Sequence, residues 1–357
     1  MANQYSSLKI FHHKDILDAM ENNQRFAPLY IRMKPTNLCN HHCQYCSYGS
    51  GIVENQTAVR DSVHRTDMIP WPKMQEILAD IGSMGVKALT FSGGGEPLTY
   101  PHILEAVRLV KEQGIDLALI SNGQLLTGDI ASEFYHAKWV RISFDSPNEA
   151  EYMALRNVSA HAFRTVIRNI REFAAKKDKN CVLGINFVVS KANYNRSYEA
   201  AELLKNLGVD NVKFSALIDN KPNYHKDIKD KVISLLKKAQ LELASEGFKI
   251  INSYEKEWQD VNFVKQPFPK CYACRFLTVI AADQKVYTCF PKAYDSKAVL
   301  GDLTNKRFKD MWFSDETTKK LDSLVPSRDC QNLCVYSERN QLIQAYYDVD
   351  RRHINFI

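Results

Sequence analysis

No segment of the 357-residue chain is apolar for long enough to cross a bilayer. The N-terminus, MANQYSSLKIF, lacks the charged start and apolar run of a secretory signal. Both absences predict a cytoplasmic chain with no membrane partner. The sequence has no repeat at a solenoid period and no low-complexity tract, which excludes arrays and disordered linkers as its main architecture. Charge of one sign is nowhere concentrated. Lys and Arg number 47 against 41 Asp and Glu, and the net +6 is spread over short blocks such as Lys176-Lys177 and Lys237-Lys238. There is no basic arm of the kind that grips nucleic acid, and none is expected as a partner.

What is present is a core-forming composition, 45% hydrophobic and 25% charged, with nine cysteines. In a reducing compartment clustered cysteines are metal ligands or catalytic groups more often than disulfides. After a helical lead-in over 1–28, apolar runs of strand length alternate with helical patterns. Strands are predicted at 29–33, 88–91, 117–120, 140–144, 183–189 and 212–215. Helices are predicted at 72–84, 103–113, 128–136, 149–175 and 195–207, with Gly85, Gly114 and Gly208 placed to cap three of them. This alternation predicts an α/β chain with a parallel sheet, curved or closed, over 29–217. A helical linker region follows at 218–254 and a cysteine-rich region at 255–340. The latter contains a hairpin signal: strands 278–282 and 286–289 around a turn near Asp283-Gln284. A final helix and tail fill 341–357.

Parallel βα architectures put their chemistry at the carboxyl ends of the strands. Four motifs fall there: the cysteine cluster after the first strand, Gly93-Gly94-Gly95-Glu96-Pro97 after the second, Ser121-Asn122-Gly123 after the third and Asp145 after the fourth. The cluster, Cys39-x3-Cys43-x2-Cys46, offers three thiolates in a tight loop. Three thiolates hold three irons of a [4Fe–4S] cube and leave the fourth iron free for a small molecule, whereas four close the cluster for electron transfer. Zinc, completed by His41 or His42, is the alternative on residue grounds.

With the glycine run after the second strand, this spacing resembles the radical S-adenosylmethionine (SAM) superfamily. The resemblance implies a partial (β/α)6 TIM-like barrel whose open iron chelates the amino and carboxylate groups of SAM. It implies reductive cleavage of SAM to a 5′-deoxyadenosyl radical that abstracts a substrate hydrogen, the electron arriving from a donor such as flavodoxin or ferredoxin. It places the backbone at Tyr45 against the adenine and Gly93, Gly94, Gly95 and Glu96 on the amino group. Ser121, Asn122 and Ser143 come near SAM, and Arg156 reaches its carboxylate. Tyr152 and Asn186 lie in the same region. Lys213, Arg141 and Asp145 are polar groups near the barrel mouth that a substrate would meet.

Cys271-x2-Cys274-x14-Cys289 and Cys330-x3-Cys334 supply five more thiols. Zinc would use four. The pattern is similar to the twitch or SPASM extension of radical SAM enzymes, which implies an auxiliary [4Fe–4S] cluster. Five cysteines suffice for one such cluster, so the shorter twitch type is expected. Cys271, Cys274, Cys289 and Cys334 are the expected ligands, with Cys330 competing for the fourth place. Cys181 precedes the fifth strand and reads as structural.

Only 28 residues precede the first strand, which favours a small-molecule substrate over a peptide. The resemblance to 2-deoxy-scyllo-inosamine dehydrogenase-type enzymes implies an oxidoreductase, with epimerase and dehydratase chemistry as variants. Its substrate would be carbohydrate-like or an aminocyclitol. Peptide or protein modification is the alternative enzymatic reading, and a non-catalytic iron–sulfur or zinc scaffold the non-enzymatic one.

Overall fold

A computed structural model describes residues 6–48, 63–218, 223–260, 266–330 and 334–356. Its strands are β1 (Tyr30–Met33), β2 (Ala88–Phe91), β3 (Asp116–Ser121), β4 (Trp139–Ser143), β5 (Val182–Val189), β6 (Asn211–Ala216), β7 (Lys249–Asn252), β8 (Leu277–Ile280), β9 (Lys285–Tyr287) and β10 (Val299–Asp302). They form one open sheet in the order β10-β9-β8-β1-β2-β3-β4-β5-β6-β7. Pairing is parallel from β8 through β1 to β7, and β9 and β10 add an antiparallel edge. This is the expected α/β partial barrel.

The two faces of the sheet differ in kind, because side chains alternate along each strand. One cross-strand row runs Met33–Phe91–Leu119–Val140–Leu183, another Ile142–Ile185–Val212–Ile250. Nearly all of these are fully buried under the helices. The intervening rows carry the polar groups: Arg32 and Thr90 in one, before it turns apolar at Ala118 and Trp139, and Ser143–Asn186–Lys213 in another. That polar face is the one turned to the cavity described below.

Helices Trp71–Ser83, Ile103–Glu112, Gly128–Phe134 and Ser197–Asn206 match the predicted periods within a few residues. Gly85 and Gly114 stop two of them in the left-handed region at φ 77° and 68°, where a Cβ would be strained even though nothing crowds it. The predicted helix over 149–175 is two helices. Glu149–Arg156 ends at Asn157, which adopts φ 48°, and Ala160–Lys176 starts afresh. An apolar period that continues across Asn157 hides the break, whereas the left-handed tolerance of asparagine permits it.

Strand β7 also went unpredicted. It lies in 218–254, where the pattern announces only a helix, found at Lys229–Leu243. The cysteine-rich region joins the same sheet. The predicted hairpin is β8 and β9, turning at Gln284 with φ 60°, and β8 lies directly against β1. The lead-in helix Lys14–Glu21 buries Ile16, Leu17 and Met20 against Tyr272, Phe276 and Ile343, which ties both ends of the chain to the cysteine-rich region.

Candidate active site

The loop after β1 is fixed by backbone bonds to two other elements. Gly95 and Glu96 donate N–H groups to the carbonyls of Thr36 (3.1 Å) and Leu38 (2.8 Å). His42 and Gln44 donate to the carbonyls of Arg156 (3.1 Å) and Leu155 (3.0 Å), two of the orphan acceptors at the end of helix Glu149–Arg156. The glycines are required by contact. A Cβ on Gly95 would strike the backbone of Asn37 and Leu38, and one on Gly94 would strike the Asn37 and Tyr294 side chains.

This packing leaves a cavity of about 350 Å³ at the carboxyl ends of β1–β4. It is lined by Cys39, Cys43 and Cys46, by Gly93, Gly94, Gly95 and Glu96, and by Ser121, Asn122, Ser143 and Arg156. The three cysteines, the glycine turn with Glu96, Ser121, Asn122, Ser143 and Arg156 therefore converge as expected, while Tyr45, Arg141 and Asp145 are not in this lining. The Tyr45 side chain turns away from this lining, and its hydroxyl donates to Asp145.

Glu96 is 3% exposed and is bound by three donors: Ser121 Oγ (2.7 Å), Asn122 N (2.7 Å) and Leu98 N (3.2 Å). Burial outweighs these donors and pushes its carboxyl up to about 7. Ser121 and Asn122 thus act partly through Glu96, locking the end of β3 to the glycine turn. Asp145 departs from its expected role as a substrate contact. It is fully enclosed, accepting from Tyr45, from Arg156 Nη2 and from Val188 N (3.0 Å), and no open side remains for a ligand. It is the counter-charge of Arg156, whose Nε is left buried without a partner at the cavity wall. Burial raises the Cys43 thiol and the Arg156 guanidinium pulls it back toward ionisation.

Of the remaining predicted groups, Lys213 is paired with Glu257 at 3.3 Å and Arg141 lies 5.4 Å from the Trp139 ring centre. Asn186 accepts from Ser215 Oγ at 3.5 Å. Tyr152 is buried against Phe144 and Phe163 and is a core residue. Cys181 is buried near the Phe134 carbonyl, far from both cysteine sets in the sheet. Two residues with no motif to announce them also bear on the site. Lys34 is buried at the end of β1, donating to Tyr48 OH (2.8 Å) and Gly93 O (3.0 Å). Tyr294, in the left-handed region at φ 69°, donates to Asn37 Oδ1. An unbroken Arg32-x-Lys34 alternation on a strand was the available signal for the first; the second had none.

The donor sets can be tested against a cluster. Among the described residues no three His, Cys, Asp or Glu side chains converge on a single-ion position. His41 Nε2 faces Gln124 Oε1 at 2.8 Å while its Nδ1 is buried without a hydrogen-bond partner, and burial lowers the ring to about 4. Thiolates at three corners of an iron–sulfur cube stand farther apart than ligands gathered on one ion. Cys39 lies within electrostatic reach of Cys43 and Cys46, and no fourth cysteine joins them in the cavity lining. That set fits a cluster with one open iron. In the second set, Cys289 is within electrostatic reach of Cys271, Cys330 and Cys334, and Cys274 of Cys271 and Cys289. Asn340 accepts from the Tyr272 and Ala273 N–H groups at 2.8 and 2.9 Å, and its amide lies 3.8 Å from Cys271 Sγ. This fits a thiolate-rich centre without selecting four of the five.

The molecule belongs to the class of open, mainly parallel α/β barrels that carry thiols and a ligand-sized cavity at the strand ends. Residues 33–189 match the model of the Radical SAM superfamily. The chain is 28% identical over 207 residues to the tungsten-containing aldehyde ferredoxin oxidoreductase cofactor-modifying protein of Pyrococcus furiosus, covering 56% of this chain and 54% of that one. It is 23% identical over 223 residues to the PqqA peptide cyclase of Streptomyces rochei, covering 62% and 56%. It spans about half the length of the curated relatives it matches. Streptococcus suis SuiB bound to S-adenosylmethionine shares the fold, with a TM-score of 0.61 at 16% identity over 87% of this chain and 71% of that one. No helix among the described residues is long and apolar enough to cross a membrane.

Proposed function

We propose that Cys39, Cys43 and Cys46 hold the SAM-cleaving [4Fe–4S] cluster, and that SAM lies in the adjoining cavity. The observation that carries this is the convergence of three thiols, the glycine turn and a buried guanidinium on one cavity of about 350 Å³. When bound, the cluster supplies the electron that cleaves SAM and yields the 5′-deoxyadenosyl radical that takes a substrate hydrogen. The chain's residues bind and orient. Arg156, anchored by Asp145, keeps N–H groups for the SAM carboxylate. Gly93, Gly94 and Gly95 let the ligand approach the backbone, and Glu96 fixes Ser121 and Asn122 beside it. Ser143 completes the wall, and the backbone at Tyr45, just outside this lining, is the proposed adenine contact.

An auxiliary [4Fe–4S] cluster on Cys271, Cys274, Cys289 and Cys334, with Cys330 as the competing ligand, is supported by the electrostatic proximity of these thiols. The reaction is oxidation or radical rearrangement of a small carbohydrate-like or aminocyclitol substrate, with flavodoxin or ferredoxin as the electron donor. The polar cavity face supports a small polar substrate. Peptide modification is the second reading, favoured by the similarity to the peptide cyclase.

The test is anaerobic reconstitution followed by iron and sulfide determination and a dithionite-driven assay for 5′-deoxyadenosine. About eight irons per chain with deoxyadenosine fits both clusters. About four irons with cleavage removes the auxiliary cluster and keeps the enzyme. Cys43→Ala is expected to abolish cleavage in a folded protein, and full cleavage by that variant would sink the site assignment.

A further inference from the structure

The cavity face of the sheet is predominantly basic, with Asp116 on β3 an acidic exception at its far end. Ile120 and Ser143 line the cavity, so the alternating positions of their strands and of the strands paired with them share that face. Basic positions there include Arg32 and Lys34 at the end of β1, Arg141 on β4, Lys213 on β6, Lys249 on β7 and Lys285 on β9. Lys213 has Glu257 opposite. Among the described residues the β1 pair has no carboxylate partner: Arg32 is hydrogen-bonded to the Tyr30 side chain, and Lys34 donates to Tyr48 OH and Gly93 O.

Arg32 lies over the Phe290 ring at 4.3 Å, and its Nε is buried without a hydrogen-bond partner. Lys34 is 1% exposed and sits 4.0 Å from the Tyr48 ring centre. The groups that act on Arg32 are Tyr30, Tyr336 and Tyr48, and those that act on Lys34 are Arg32, Cys46 and Asp283. Asp283 is engaged elsewhere, accepting from Tyr287 OH at 2.6 Å and lying 3.8 Å from Lys285 Nζ. Among the described residues no carboxylate touches either cation. Arginine keeps its charge in any protein environment, so the site is cationic whatever the state of Lys34. Burial first, and then the Arg32 charge, lower the Lys34 amine well below its ordinary value. A buried charge without an opposite one is costly, and an anion between the two relieves both.

The position of the pair says what that anion belongs to. Phe290 follows Cys289, and Tyr48 lies two residues beyond Cys46 on the cavity wall. Arg32 and Lys34 therefore stand between the two cysteine sets, beside the cavity. We propose that they form an anion subsite that receives a carboxylate or phosphate group of the substrate. This rests on the radical SAM reading above and narrows it, since an aminocyclitol would bring a positive amine to a cationic face.

The test uses the full chain, reconstituted anaerobically, and titration calorimetry at low ionic strength with inorganic phosphate and, separately, malonate. Wild type should bind at one saturable site, and the tighter probe tells a phosphate subsite from a carboxylate one. Arg32→Gln and Lys34→Met should each weaken binding by about tenfold or more, the effect of losing one charge-assisted bond. Arg32→Lys should recover part of it, and the surface change Lys238→Gln should leave it intact. Unchanged binding in Arg32→Gln and Lys34→Met, or no binding of either probe by wild type, overturns the proposal. Loss of iron from both variants also overturns it, by making the pair the counter-charge of a cluster. Deoxyadenosine formation by the same wild-type sample reports separately on the radical SAM reading.

Discussion

Glu96 is a nearly buried carboxylate on the cavity wall, and its three donors do not fully offset the loss of solvent. The consequence has a definite sign. Below about pH 4.5 the group is protonated in the folded and unfolded chain alike. Between there and about 7 the unfolded chain gives up the proton while folded Glu96 keeps it, so stability falls as pH rises. Above about 7 there is no further loss. Glu96→Gln removes the titration. Urea midpoints of wild type and variant should therefore converge or cross between pH 5 and 7.5, with a relative shift of more than about 1 kcal/mol. Parallel curves would mean that Glu96 is ionised throughout. At this scale the motif residues were legible because glycine, cysteine and glutamate occur in a fixed spacing. The role of Asp145 was not, since its saturation needs Tyr45 and Val188, distant in the chain, as well as Arg156 from the next helix.

The helix that carries Arg156 must end where it does. If Glu149–Arg156 ran on into Ala160–Lys176, the carbonyls of Leu155 and Arg156 would be spent inside the helix and lost to Gln44 and His42 of the cysteine loop. Asn157 stops it by entering the left-handed region at φ 48°, with its N–H bonded to the Met153 carbonyl. Asn157→Ala should cost about 1 kcal/mol, because a Cβ without a compensating polar group disfavours that conformation, and Asn157→Gly should be close to neutral. Chemical denaturation of the two variants checks the order, and equal losses would show that the side chain matters for something other than its backbone. The strands of the barrel were readable from apolar runs that are buried on the helix side. Strand β7 was not, because Lys249–Asn252 is four residues long and holds a single buried position, too little for a periodic signal.

At the scale of the whole molecule, the cysteine-rich region is built onto the edge of the barrel sheet. Lys34 N donates to the Ile280 carbonyl and Leu29 N to that of Phe276, both at 2.8 Å, so the backbone of β1 that leads into the first cysteine loop is held by the second region. Tyr294 adds a side-chain link from that region to Asn37. Composition marks where the cysteines cluster, but parallel pairing between β1 and β8, almost 250 residues apart in the chain, leaves no local trace. If a metal centre organises residues 271–334, its binding energy is also folding energy for β8. Cys274→Ser, or chelation of the second centre, should then speed amide exchange at Leu29 and Lys34 by about tenfold, ~1.4 kcal/mol of local stability, while Phe144 N, bonded to Asn186 O at 3.0 Å in the middle of the sheet, keeps its protection. Mass-resolved hydrogen exchange on wild type and variant reads this directly. Unchanged exchange at both β1 amides would mean that strand pairing and the apolar contacts of the lead-in helix hold the edge without the metal. The first cysteine loop would then be mechanically independent of the second centre, and any coupling between them would have to pass through a bound substrate.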